Sequence, residues 1–176
     1  MFEDKFFVGQ FMSVYDDTEA DGQFHVCRYL CEDDDFILFQ TISTRGYDDG
    51  FYLIPVESVN RVDVDDAYTK RIVRLFALQQ QPVRAFDCSG EPLLVQFLNH
   101  AMQKYITSVF LEDGENVTGR ILSIHEDDDF LCMEKLSEDG HPDGTAYIRM
   151  DCIEKIICDS GVERMIEMLM DEVSAK

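Results

Sequence analysis

Apolar and polar residues alternate with a period near two along much of this chain, and the period lengthens to that of a helix in three places. In the second half, TSVFLEDGENVTGRILSI predicts a strand, a turn about Glu112-Asp113-Gly114, and a second strand. DFLCMEKL predicts a third strand, SEDGHPDG a loop dense in turn formers, and TAYIRM and CIEKIIC two short strands joined by a tight corner. The first half repeats the plan with FVGQFMSVY, FHVCRYL, DFILFQTIS, FYLIP and VNRVDV. Helical spacing appears in AYTKRIVRLFALQ, where Tyr68, Ile72, Leu75 and Phe76 share a face behind Asp65 or Asp66 as N-cap. It appears again in GVERMIEMLMDEV, where Val162, Met165, Ile166 and Leu169 form a stripe expected to pack on its own barrel, with Ser160 as the cap. The third helix, PLLVQFLNHAMQK, has Ser89 as the expected cap and Pro92 in its first turn.

Five short strands per half cannot make a broad sheet. A small bent barrel buries their apolar faces and protects their edges. The expected fold is therefore mainly β with flanking α-helices: two tandem five-stranded small barrels of the SH3 type.

The two halves also match residue for residue. Shifted by 94 positions, they align without a gap from about Phe24 to Leu75. EDDDF at 32–36 falls on EDDDF at 126–130, Gly46 on Gly140, Asp49-Gly50 on Asp143-Gly144, and Ile72 and Leu75 on Ile166 and Leu169. Such spacing over some fifty residues predicts an internal duplication whose unit is a small domain. The polar segment QQQPVRAFDCSGEP joins the copies, which places the domains at 1–84 and 85–176.

Charge narrows the chemistry. The net charge is −21, shared between residues 1–88 (17 acids, 8 bases) and residues 89–176 (19 acids, 7 bases). A field of this sign repels phosphate backbones and favours basic partners or cations. Arg61, Lys70, Arg71, Arg74 and Arg84 are a local positive concentration. No apolar run reaches the ~18 residues that cross a bilayer, and the acidic start MFEDKFFVGQF is unlike a signal peptide, so a cytoplasmic protein is expected. The six cysteines form no CxxC pair, and Cys27, Cys31, Cys132 and Cys158, which sit among apolar strand residues, are expected to act as small buried hydrophobes.

Phe97-Leu98-Asn99 in a helix, then Leu111-Glu112-Asp113-Gly114, Gly119-Arg120-Ile121 with Ser123, and the closing run Ile148-Arg149-Met150-Asp151-Cys152-Ile153 follow in order. This layout resembles the Sm-like superfamily, with the bacterial Hfq-like branch nearest, over about residues 91–158, and through the repeat over about 6–65. The resemblance implies small barrels that assemble into rings by pairing the fourth strand of one with the fifth of the next, and that bind single-stranded RNA near the pore. Two barrels per chain would then give a pseudo-symmetric ring of three chains, unless they pair only with each other. Departures stand beside the matches. Met150 replaces the closing glycine, Pro55 and His25 replace the arginine and strand glycine in the first copy, and the Lys-His pair of the Hfq-like branch is missing.

Candidate sites are few. Consecutive acids in extended chain point to opposite sides, so EDDD reads as a wet hairpin tip with Phe36 or Phe130 anchoring the next strand. Asp17-Thr18-Glu19-Ala20-Asp21-Gly22 begins like a calcium loop, but position twelve is Arg28, and a hairpin loop is expected. His25, His100, His125 and His141 lack metal-ligand spacing, and no nucleophile-base motif or phosphate-binding glycine loop is readable. The expected function is a non-enzymatic, acidic tandem Sm-like protein acting as a protein-interaction or assembly module, without a cofactor. The alternative is Hfq-like single-stranded RNA binding in post-transcriptional regulation. Lys70, Arg71, Arg74 and Arg149 are the candidate contacts for RNA or a protein partner. Expected partners are proteins, or further copies bound through barrel edge strands, with RNA disfavoured by charge and no membrane.

Overall fold

Alternation becomes strand wherever β-branched and aromatic residues can put one face against a shared core. The computed structural model describes residues 5–17, 23–88, 90, 92–102 and 104–174. The expected cap Ser89 and the 18–22 part of the candidate calcium loop lie outside them. The chain divides into two units, Met1–Leu93 and Leu94–Lys176.

The first unit holds β1 (Phe11–Asp16), β2 (His25–Glu32), β3 (Phe36–Ile42), β4 (Asp48–Pro55), β5 (Val59–Asp63) and α1 (Ala67–Leu78). Its strands are antiparallel in the order β5-β1-β2-β3-β4. Met12, Val14, Ile37, Phe39, Tyr52, Leu53 and Ile54 are fully buried between them. Each such side chain contributes about 1.5–3 kcal/mol through burial. Closure into a barrel is not what the described strands form; the sheet is open. Pro55 ends β4, and the 3-10 turn Val56–Ser58 carries the chain across so that β5 pairs with β1. Helix α1 does the covering instead: Ile72 and Phe76 pack on Val26 and Ile42, with Phe11, Phe24, Tyr68 and Leu75 around them.

The second unit repeats this order. Helix α2 (Leu93–Met102) leads into β6 (Thr107–Leu111), β7 (Asn116–His125), β8 (Phe130–Leu136), β9 (Pro142–Arg149), β10 (Ile153–Cys158) and α3 (Gly161–Ser174). The strand order is β10-β6-β7-β8-β9, again open, with the 3-10 turn Met150–Cys152 at the corner. Strand β9 starts at Pro142, inside the expected loop; a strand's first residue can lack an N–H at little cost.

Local geometry recurs at equivalent positions. Gly46 and Gly140 have positive φ in turns closed by Ser43 and Ser137. Asp65 and Asp159, both left-handed, precede α1 and α3. The Asp66 carboxylate accepts from the N–H groups of Tyr68 and Thr69. In α3 the Ser160 hydroxyl accepts from Val162 N–H, while Glu163 accepts from Ser160 N–H, a reciprocal cap. The Ser13 and Thr69 hydroxyls share a hydrogen bond, and Ser108 donates to Glu163 at the corresponding place.

The ungapped offset, however, does not hold throughout. Phe39 of β3 faces Tyr29, whereas Met133, 94 positions on, faces Ile121 rather than Ser123. Strand β7 is therefore displaced by two residues, and Gly119 stands where Cys27 stands, not where His25 does. Both EDDDF runs are hairpin connections, but they fold differently. In the first, Glu32 is the last residue of β2, opposite Ile37. In the second, Glu126–Asp128 make a 3-10 turn and Asp129 is left-handed. The added residues lengthen that turn.

Asp66→Ala is expected to cost about 1 kcal/mol of first-unit stability, as helix caps do, measured by chemical denaturation. Its carboxyl is held below the usual value, chiefly by the Thr69 hydroxyl. The cap's contribution is thus present above about pH 4 and fades as pH falls through the lowered folded value.

Candidate interaction surfaces

Lys70, Arg71 and Arg74 lie at helical spacing on the exposed side of α1. Lys70 sits 3.8 Å from Asp65, and the Arg71 guanidinium lies over the Tyr68 ring at 5.1 Å. Pairs this exposed are worth little, so the helix keeps a cationic face. Arg149 belongs to the second unit, at the end of β9, and its guanidinium pairs with Asp151. Arg61 pairs with Asp63 on β5 and lies over the Tyr15 ring.

Arg84 is structural. It donates from Nε and Nη2 to the buried Asp48 carboxylate at 2.8 and 2.5 Å and lies 4.6 Å over Phe51. Gln40 adds a bond to Asp48 and another to Pro82 O, while Arg28 donates to Arg84 O. The segment expected to be a polar join is thus fastened along residues 81–84. Cys31 and Cys88 form a disulfide at its far end, which corrects the reading of Cys31 as a small buried thiol. Cys27, Cys132 and Cys158 are buried, and burial pushes the Cys27 thiol well up. Asp151 raises the Cys152 thiol through a hydrogen bond, which keeps it protonated and weakly nucleophilic.

The first EDDD run is put to structural use. Asp33 Oδ1 accepts from Asp35 and Phe36 N–H, and Oδ2 accepts from Leu93 N–H. In the second run all four acids are exposed, and Phe130 itself is 37% exposed, so it does not anchor the strand as expected. Among the described residues, no three His, Cys, Asp or Glu side chains gather as a metal-binding group. No described helix is long and apolar enough to cross a membrane.

Two further surfaces stand out, the first of them among the edge strands expected to carry assembly. One is the outer strand β9, where only Ile148 is buried and Tyr147 is 71% exposed. Beside it, Leu111, Val117, Tyr147 and Ile148 line a groove of about 560 Å³, with Glu112 and Asp113 among its walls. Strand β5 is half-buried, with Asn60 and Arg61 exposed, and like β9 it stands at an end of its unit's strand order. The polar run PDGT opening β9 was the available signal of an edge. The other is α3. Its stripe was expected to pack on the barrel, yet Val162, Met165 and Leu169 are exposed, together with Met168. Among the described residues, only the flank carrying Glu163 and Ile166 is buried, with Met170 partly so, because a sheet covers a narrower arc than four apolar positions span. No protein-family model, curated protein or solved structure matches this chain.

Proposed function

We propose that this chain is a non-enzymatic protein-interaction and assembly module made of two duplicated, Sm-like units that associates with further copies through its outer strands. The observation that carries the reading is the strand order fifth-first-second-third-fourth in both units, with a 3-10 turn between fourth and fifth strands. In that order β5 and β9 each stand at an end of their unit, and a strand edge offers backbone donors and acceptors to a further strand. A β5-to-β9 contact is heterologous, so it closes into a ring or runs on as a filament.

Light scattering tests this. A ring of three chains has about three times the 20.3 kDa of one chain. Tyr147→Lys, at an exposed edge position, is expected to weaken association about tenfold while leaving unit stability unchanged. A 20.3 kDa species at tens of micromolar protein sinks the assembly reading.

The cationic face of α1 favours a second reading, single-stranded RNA binding through Lys70, Arg71 and Arg74. Filter binding with U-rich and A-rich oligonucleotides separates the two. The assembly reading expects no retention at micromolar protein. Retention abolished by reversing these three charges would establish RNA binding instead.

A further inference from the structure

Among the described residues, the outward stripe of α3 is an apolar helix face left exposed. Val162 is 57% exposed, Met165 59%, Met168 72% and Leu169 39%. Their spacing of three, six and seven residues sets them on one side of the helix. The stripe does not end at the helix. Val162 also lines a cleft of about 400 Å³ with Phe110, Leu136 and Ile166, whose other walls include Ser108, Thr118 and Glu138, so the stripe and the cleft share Val162. Glu138 lines the same cleft, Asp139 follows it on the surface, and Asp171 and Glu172 are exposed where the stripe ends. Arg164, the cation of this helix, is engaged with Asp159.

From this combination we infer that the α3 face and its cleft dock a cationic amphipathic helix of another protein. The occupant follows from charge and shape. Methionine side chains are flexible and polarisable and adapt to varied aliphatic anchors. Acids at the cleft and at the end of the apolar stripe select lysines or arginines flanking those anchors. A second copy of α3 would bring the same acids against these. Helix α1 of another copy supplies cations, but it has Arg71 and Arg74 where α3 has Met165 and Met168, so it lacks the anchors. An anionic lipid surface or nucleic acid meets like charge. This inference does not rest on the outer strands β5 and β9, and either can fail alone.

The test uses the whole chain and a fluorescein-labelled leucine-lysine peptide of about 18 residues, five helical turns. Anisotropy is expected to give micromolar binding, weakened at least about fivefold between roughly 0.05 and 0.3 M salt as screening shortens the charge interaction. The double substitution Met165→Ser with Met168→Ser is expected to weaken it about tenfold or more. Glu138→Lys with Glu172→Lys should weaken it comparably. In chain labelled with ¹³C-methyl methionine, the Met165 and Met168 signals should shift on peptide addition, while those of buried Met12 and Met133 hold still. Circular dichroism checks that each variant folds. The inference is overturned by binding that ignores the methionine pair, since that is charge attraction to an acidic chain alone. It is equally overturned by no methionine shift at saturating peptide, or by a self-association that the methionine pair abolishes.

Discussion

Arg84→Ala is expected to destabilise the first unit by about 3–5 kcal/mol, because it strands a buried carboxylate without its counter-charge. The Asp48 side chain is 3% exposed and that of Arg84 11%, so neither recovers its water when the other is removed. The guanidinium makes two bonds to that carboxylate and also covers the Phe51 ring, so charge and packing are lost together. Gln40 remains a donor to Asp48, but a neutral amide does not offset a full charge. Chemical denaturation of the whole chain, followed by far-ultraviolet circular dichroism, gives the loss. The double variant Arg84→Met with Asp48→Leu is expected to recover most of it, since an apolar pair of similar volume avoids both desolvation costs. If Arg84→Ala costs less than about 1 kcal/mol, in the range of an exposed pair, the 81–84 segment is not fastened in solution as described.

This pair marks where the sequence stops being legible. Asp48 and Arg84 are 36 residues apart, and no period or motif connects them. Arg84 therefore reads as one more cation in a basic stretch, and its segment as a linker, because Gln and Pro signal polarity and turns but not what they lie against. Elements set by local chemistry are legible: α1 begins behind Asp66, one of the two aspartates expected to cap it, and α3 behind Ser160, its expected cap. The width of an apolar stripe is legible too, whereas the arc of it that a neighbour covers is a tertiary property. That is why the exposure of Met165 and Leu169 was missed while the burial of Ile166 was not. The two-residue displacement of β7 is hidden for another reason. Identical EDDDF runs align best with each other, although one closes as a short turn and the other as a 3-10 turn. Closure of the strands and the location of any binding site depend on long-range pairing, which alternation does not encode.

Gly46→Ala and Gly140→Ala are expected to cost about 2–5 kcal/mol each, from a left-handed penalty of about 1–2 kcal/mol plus the overpacking of a helix. Both glycines have φ near +80° and sit under the helix that follows their own unit's last strand. A methyl group at Gly46 would lie 2.5 Å from Leu75 Cβ and 2.8 Å from Phe76 N; at Gly140, 2.6 Å from Met170 N and 2.9 Å from Ile166 O. These contacts include helix backbone, which cannot rotate away as a side chain tip does. Helix α1 or α3 must therefore move off its core residues, Ile72 and Phe76 in one unit and Ile166 in the other. Gly114→Ala is the control. Its φ of +83° is equally left-handed, but an added Cβ meets nothing within 4 Å. That variant should show the backbone penalty alone, about 1–2 kcal/mol. The excess of Gly140→Ala over Gly114→Ala, both in the second unit, then measures how tightly α3 is seated on its turn. Equal losses in the two would mean that the turn at Ser137 does not support α3. The flank holding Ile166 would then be no better covered than the methionine stripe beside it.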